Sequence, residues 1–376
     1  MKPATPQTQP SPSTQLRQAV FGGSLWSVLR LAGREPFRIF FPAGVLAGIL
    51  GVALWPLHFW GVLESYPGSA HARIMACGLF GGFIFGFLGT AMPRMLSANP
   101  FRMGEVIPLV LLHGAMVLSF ATGKAFVGDV LWLFLLMAFF GCVVVRTTRR
   151  KDTPPPGFVL VGLAFLCATT GAVVSMVEHY REIDVFWVAL QRLLSYQGFV
   201  LLPILGIGPF ILPRLIGVEN HHDFPETLVP AAGWLRKALI ALAAGALIVA
   251  SFFVEANGWP RPAYFIRFLT TLVYLFLEMP FHHASKVNNA LGASIRMAFI
   301  CILAGFLAVS FFPAYRISLL HLTLIGGFAV ITFVVATRVA FGHSGNLALL
   351  KGRHRWLLVS FGLMLFGMAT RMSGDF

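Results

Sequence analysis

The chain reads as an all-α protein, a polytopic bundle of transmembrane helices. Hydrophobic residues make up 57% of its 376 residues and charged residues only 11%, too few charges to cover a soluble surface. Eleven long apolar stretches follow one another, each sufficient to cross about 30 Å of hydrocarbon as a helix rather than as a barrel strand. The basic residues gather in alternate loops.

Residues 1–35 read as a polar, disordered tail, because MKPATPQTQPSPSTQ has no apolar core and is no signal peptide. Residues 36–376 read as a single transmembrane domain with spans at 37–60, 70–96, 104–122, 127–147, 157–178, 186–215, 231–254, 262–282, 293–312, 317–341 and 355–372. With the N-terminus inside, the cytoplasmic segments collect Arg30, Arg34 and Arg38, then Arg94 and Arg102, then Arg146, Arg149, Arg150 and Lys151. Arg214, Arg236, Lys237, Lys286, Arg296, Arg338, Lys351, Arg353 and Arg355 follow on that side. The outer loop with Glu178, Arg181, Glu182 and Asp184 shows the contrast. This positive-inside pattern sets the orientation, with the N-terminus in the cytoplasm. It accounts for the net charge of +14 without a nucleic-acid partner; the partner it does require is the lipid bilayer. Cys77, Cys142, Cys167 and Cys301 lie in apolar spans without CxxC spacing, so they read as small buried hydrophobes.

Three spans close on similar words: GTAMPRML after the second, GPFILPRL after the sixth and VVATRVAF after the tenth. Arg94, Arg214 and Arg338 stand roughly 120 residues apart, four spans each time, which is the period of a threefold repeat of four-helix units. The units run over about 36–150, 151–290 and 291–376. The third is one helix short, so a twelfth span beyond Phe376 is expected.

Two histidines share a depth. His71 opens the second span and His321 the tenth, both running from outside to inside in this topology. A pair of imidazoles on facing helices at one level is what a bis-histidine haem requires; the alternative is two histidines hydrogen-bonded near the interface. Gly78, Gly81, Gly82 and Gly86 after His71, and Gly326 and Gly327 after His321, would let a macrocycle or a neighbouring helix approach. Arg73 needs an anionic partner, either a haem propionate, Glu64 or a group on a neighbouring helix; Arg316 and Tyr66 are at similar depth. His343, in FGHSGN, reads as a loop residue with metal ligation as the alternative. His221 and His222, with Glu219, Asp223 and Glu226, and His282 with His283 read as cytoplasmic loops matching no defined metal site. His113 is mid-span and faces inward; His58 closes the first span on the outer side.

Three blocks carry a family resemblance: EPFRIFFPAGVLAGILGVALWPL, HARIMACGLFGGFIFGFLGTAMPRML and HLTLIGGFAVITFVVATRVAFGHSG. With the motifs HAxxMxxG, GFLxTAxP and RVxxGHxG in this order, the chain resembles the NnrS family. The resemblance implies a twelve-span inner-membrane protein containing haem, of b type, and copper, linked to nitric oxide and to tolerance of nitrosative stress, as in denitrification. A membrane or periplasmic electron donor would be its partner. Two departures mark a divergent branch. HARIM stands where many members read HAHEM, which puts any copper site using that second histidine in doubt, and LLPILGIGPFILPRLIG replaces a GGR-type ending. The unit arrangement is also similar to the catalytic subunit of haem-copper oxidases and nitric oxide reductases. However, the sixth span offers Tyr196 and Gln197 but no histidine, the seventh has none, and the tenth lacks an HxH pair.

Three functional readings follow. The first is a haem protein of nitric oxide metabolism, with His71 and His321 on the iron and Arg73, Arg316 and Tyr66 around it. The second is an oxidoreductase that reduces nitric oxide at an incomplete haem-copper-like site. The third is a transporter of small molecules or metal ions, gated at the Pro203–Pro209–Pro213 span.

Overall fold

The computed structural model describes residues 25–216, 226–279, 289–350, 352 and 354–374, and among these every regular element is a helix. Ten helices are long and apolar enough to cross a membrane: Phe37–Phe59, Gly68–Met95, Met103–Ala121, Ala125–Thr148, Phe158–Glu178, Val185–Ile211, Trp234–Ala256, Ala290–Phe311, Pro313–His343 and Arg355–Ser373. Pro260–Glu278, 19 residues long, takes the place of the expected eighth span and is less apolar because Arg261, Arg267 and Glu278 lie on it. It packs between the seventh and ninth spans as its neighbours do. The helices are named below by their order as spans, first to eleventh.

One expectation is corrected at the N-terminus. The polar tail does not reach residue 35, because Leu25–Arg34 forms an amphipathic helix that packs against the third span. Its sequence, LWSVLRLAGR, repeats apolar residues at helical spacing, a pattern visible only when the window starts at Leu25.

The loops named as cytoplasmic meet on one face. Lys151 N donates to Leu96 O at 2.9 Å, Trp234 Nε1 to Pro154 O at 2.7 Å, and Asn289 Nδ2 to Leu215 O at 3.3 Å. This is called the basic face. The remaining connections lie at the opposite face.

The second, sixth and tenth spans form the centre. Phe80 meets Phe328 at 6.3 Å, Phe83 meets Phe333 at 5.3 Å, and Phe85 meets Phe199 at 6.4 Å between ring centroids. Each of the three is interrupted by a π-helical segment: Ile74–Phe80, Leu194–Gly198 and Leu322–Ala329. The step from Ile74 to Leu194, 120 residues, equals that from Arg94 to Arg214, whereas the step from Leu194 to Leu322 is 128 against 124 from Arg214 to Arg338. A π turn widens the helix and leaves carbonyls off their usual partners. His113, buried on the third span as expected, donates its Nε2 proton to Gly78 O inside the first such segment, at 2.9 Å.

The glycines serve helix packing. A Cβ on Gly82 would lie 2.9 Å from Gly44 Cα and 3.1 Å from Phe40 O, so the second span rests on the backbone of the first. A Cβ on Gly326 would meet Met368 Sδ at 2.6 Å, on the last span. Of the two neighbours the sequence allowed, macrocycle or helix, these glycines face helices. The four cysteines are unpaired thiols, three of them buried.

Candidate functional site

His71 stands three residues and His321 one residue before a π segment, on parallel spans near the opposite face. The residue offset between them equals that between Phe83 and Phe333, which touch, so the two lie level along the bundle. His71 Nδ1 bonds Gly51 O at 2.9 Å and His321 Nδ1 bonds Ile317 O at 2.8 Å. A carbonyl can only accept, so Nδ1 carries the proton in each ring and Nε2 carries the lone pair. That is the tautomer a metal-ligating histidine adopts when its second nitrogen is fixed by the backbone. Trp55 lies edge-on to His71 at 5.8 Å and to Tyr66 at 5.5 Å, while Tyr66 is 74% exposed at the rim. Arg371, near the end of the last span, lies within electrostatic range of His71.

Arg73 and Arg316 are taken up by carboxylates of the protein. Arg73 pairs with Asp129 of the fourth span, Nε to Oδ1 and Nη2 to Oδ2 both at 3.3 Å, and donates to Ser175 at 3.0 Å and to Ser69. Asp129 also accepts from Ser175 at 2.7 Å and meets His179 Nε2 at 3.2 Å. Glu64 is not the partner: the neighbouring-helix alternative holds, because a buried guanidinium is cheapest where a carboxylate shares its low-dielectric surroundings. Arg316 donates to Glu255 Oε1 at 2.7 Å; Arg267, fully buried, holds Glu255 Oε2 at 2.5 Å. Arg267 further donates to Gln197 Oε1 at 3.0 Å and to Ser251 Oγ at 2.8 Å, and Tyr264 donates to Glu255 at 3.2 Å. Neither arginine is placed as a propionate partner.

Asp129, Glu255 and Arg267 are what the sequence reading missed. The signal was present, since each is an ionisable residue inside or at the end of an apolar run, and such residues carry function or pair with one another.

His343 is drawn into an ion cluster at the basic face. Its Nδ1 lies 3.0 Å from Glu35 Oε1, and Arg94 Nη1 donates to its Nε2. Both ring nitrogens are used within the protein. Arg94 and Arg38 complete the cluster by pairing with Glu35. Burial alone raises the Glu35 carboxyl, but the hydrogen bond from His343 and the charge of Arg38 outweigh it and hold the group at about 2. His221, His222, Glu219, Asp223, His282 and His283 lie outside the described residues, and so do Lys286, Lys351 and Arg353. Among the described residues no three His, Cys, Asp or Glu side chains gather as a metal-ligand set.

A cavity of about 80 Å³ opens between the basic-face halves of the second, sixth and tenth spans. Phe83, Phe87, Pro203, Ile207, Ile331 and Val335 are among its lining residues. The prolines of the sixth span, Pro203 and Pro209, lie within this helix, and each removes one N–H from its hydrogen-bond ladder.

A family model described as "NnrS protein" matches residues 33–376. No curated protein and no solved structure matches the chain, so the likeness to the haem-copper oxidase subunit rests on span order alone. A match over nearly the whole chain, on a bundle whose second and tenth spans carry the motif residues at its centre, shows that this multi-pass membrane protein belongs to the NnrS family.

Proposed function

We propose that the protein is an inner-membrane haem protein of nitric oxide metabolism or nitrosative-stress tolerance, with His71 and His321 as the two axial ligands of one haem. The observation that carries this is the shared backbone tether. Two level histidines on parallel central spans each spend the Nδ1 proton on a carbonyl and turn the lone pair to Nε2. Bound iron would supply one-electron chemistry, and two imidazole ligands favour electron transfer or sensing over reduction of a substrate at the iron. Trp55 and Tyr66 would wall the rim, and Arg371 would balance the propionate charge in place of Arg73 and Arg316. No CxxCH run is present in the sequence, which supports non-covalent, b-type haem.

The positive-inside rule assigns the basic face to the cytoplasm and the histidines to the periplasmic edge, where a membrane or periplasmic electron donor would reach them. The central cavity supports the nitric oxide reading over polar transport. Its lining is aliphatic and aromatic apart from Thr332 and backbone, and suits a small uncharged molecule.

The test is the optical spectrum of the purified protein, oxidised and after dithionite. A low-spin haem spectrum is expected, lost in His71→Ala and in His321→Ala and retained in His343→Ala. Full haem loading in both alanine variants would overturn the assignment.

A further inference from the structure

The eighth span carries a row of polar side chains that the haem reading does not use. Tyr264, Arg267, Thr271, Tyr274 and Glu278 recur at alternating steps of three and four, so they share one face of the helix. That face is turned inward: Tyr264, Arg267 and Thr271 are fully buried and Tyr274 is nearly so. The opposite face, with Val273 and Phe276, is exposed to lipid. An inward polar row through an otherwise apolar bundle is costly unless its groups are solvated or paired.

At the end near the opposite face the row is paired. Tyr264 and Arg267 belong to the network with Gln197, Ser251 and Glu255. At the basic face it opens on a recess of about 20 Å³ lined by Tyr274, Glu278, Lys237, Gly157 and Gly206 among others, enough for about one water. Between the two stands Thr271. Its Oγ1 has no hydrogen-bond partner among the described residues, even though Thr90, Thr122, Thr147 and Thr337 all bond the carbonyl four residues back. Along the helix axis Thr271 stands about 4.5 Å from Tyr274 and about 6 Å from Arg267 on the same face, and a buried hydroxyl without a protein partner is one that a water can bridge to a neighbour.

We propose that this row is a water-bridged half-channel through which protons exchange between Glu278 and Thr271, past Tyr274, and which stops at Arg267 without depositing a proton there. The relay moves only protons: each hydroxyl or water accepts one on one side and donates one on the other, and no electron or co-reactant is involved. Arg267 ends the path, because a guanidinium stays protonated and repels a further positive charge. The network of Tyr264, Glu255 and Arg316 beyond it is joined to Arg267 and Gln197 by hydrogen bonds, so the guanidinium charge, not a break in the network, is what keeps protons from passing on and short-circuiting the membrane. Gln197 lies on the π segment of the sixth span, so the path ends beside the central helices. The proposal holds whichever face is cytoplasmic and whether or not haem is bound at His71.

The test uses the full chain in vesicles with Cys77, Cys142, Cys167 and Cys301 replaced by serine, carrying Thr271→Cys, Glu278→Cys or Val273→Cys singly. The probe is methyl methanethiosulfonate, which is small, uncharged and membrane-permeant and reacts with the thiolate alone, so its rate reports proton access to the thiol. Below the thiol pKa, Thr271→Cys should react about tenfold faster for each pH unit raised on the side that governs Glu278→Cys, and should ignore the pH of the other side. Adding Tyr274→Phe should blunt that response several-fold. Val273→Cys, at similar depth but facing lipid, should react slowly and follow neither side. A Thr271→Cys rate as slow and pH-insensitive as that of Val273→Cys would overturn the proposal. So would a rate that follows the compartment opposite to the one governing Glu278→Cys.

Discussion

Arg73 shows what a charge inside an apolar span requires. Its side chain and that of Asp129 are almost completely shielded, and each finds its counter-charge on a helix far away in sequence. Breaking such a pair by removing one member leaves the other charge buried alone, at a cost of about 3–5 kcal/mol. Arg73→Met should therefore lower the thermal midpoint of the detergent-solubilised protein strongly, and Asp129→Asn added to it should restore part of the loss. An Arg73→Met protein that melts like the parent would show that Ser175 and His179 suffice to hold Asp129. At the same scale, the histidine tethers separate candidates that the sequence could not. His343 bonds side chains through both ring nitrogens, whereas His71 and His321 each bond a backbone carbonyl through Nδ1, which sets the tautomer with the lone pair on Nε2.

At the scale of the element, the three π segments are the distinguishing feature of the central spans. A wide turn needs neighbours that accept a bulge, and small residues inside the segments, such as Gly78, Gly198 and Gly326, allow the adjoining helices to close around them. The contact of the first and second spans is closer still. At Gly82 the obstacle to a side chain is backbone, which cannot rotate away. Gly82→Ala should force the two spans apart and cost about 1–3 kcal/mol, the usual range for overpacking. Gly114, whose Cβ would meet nothing within 4 Å, is the control: Gly114→Ala should leave the thermal midpoint unchanged or slightly higher.

At the scale of the whole molecule, the cluster of Glu35, Arg38, Arg94 and His343 ties the start of the first span to the basic-face ends of the second and tenth. The Glu35 carboxyl is held below its usual value of 4.5, at about 2. A lowered carboxyl pKa contributes stability that is complete above the unfolded value and is lost as pH falls from there through the folded value. The protein should therefore lose part of its thermal stability between about pH 4.5 and pH 2. Glu35→Gln should be less stable than the parent at neutral pH and show a flatter acid limb. Equal acid limbs in the two would remove this cluster as their cause.

The sequence by itself determined the membrane, the helices, the alternation of loops between two faces and the fourfold spacing of the central spans. These follow from local physics, since a backbone in hydrocarbon must satisfy its own hydrogen bonds and basic loops stay on one side. It also placed His71 and His321 at one depth, because depth is counted along a helix. The amphipathic helix at Leu25–Arg34 was hidden by the polar run before it. Only the tertiary structure decided which charge meets which. Arg73 chooses Asp129, Arg316 chooses Glu255 and His343 chooses Glu35 because helix rotation and neighbourhood, not spacing along the chain, set those partners. The polar row of the eighth span was written in the sequence at steps of three and four, but whether it faced lipid or the interior was settled by packing against the seventh and ninth spans, which buries Arg267 and leaves Val273 outside.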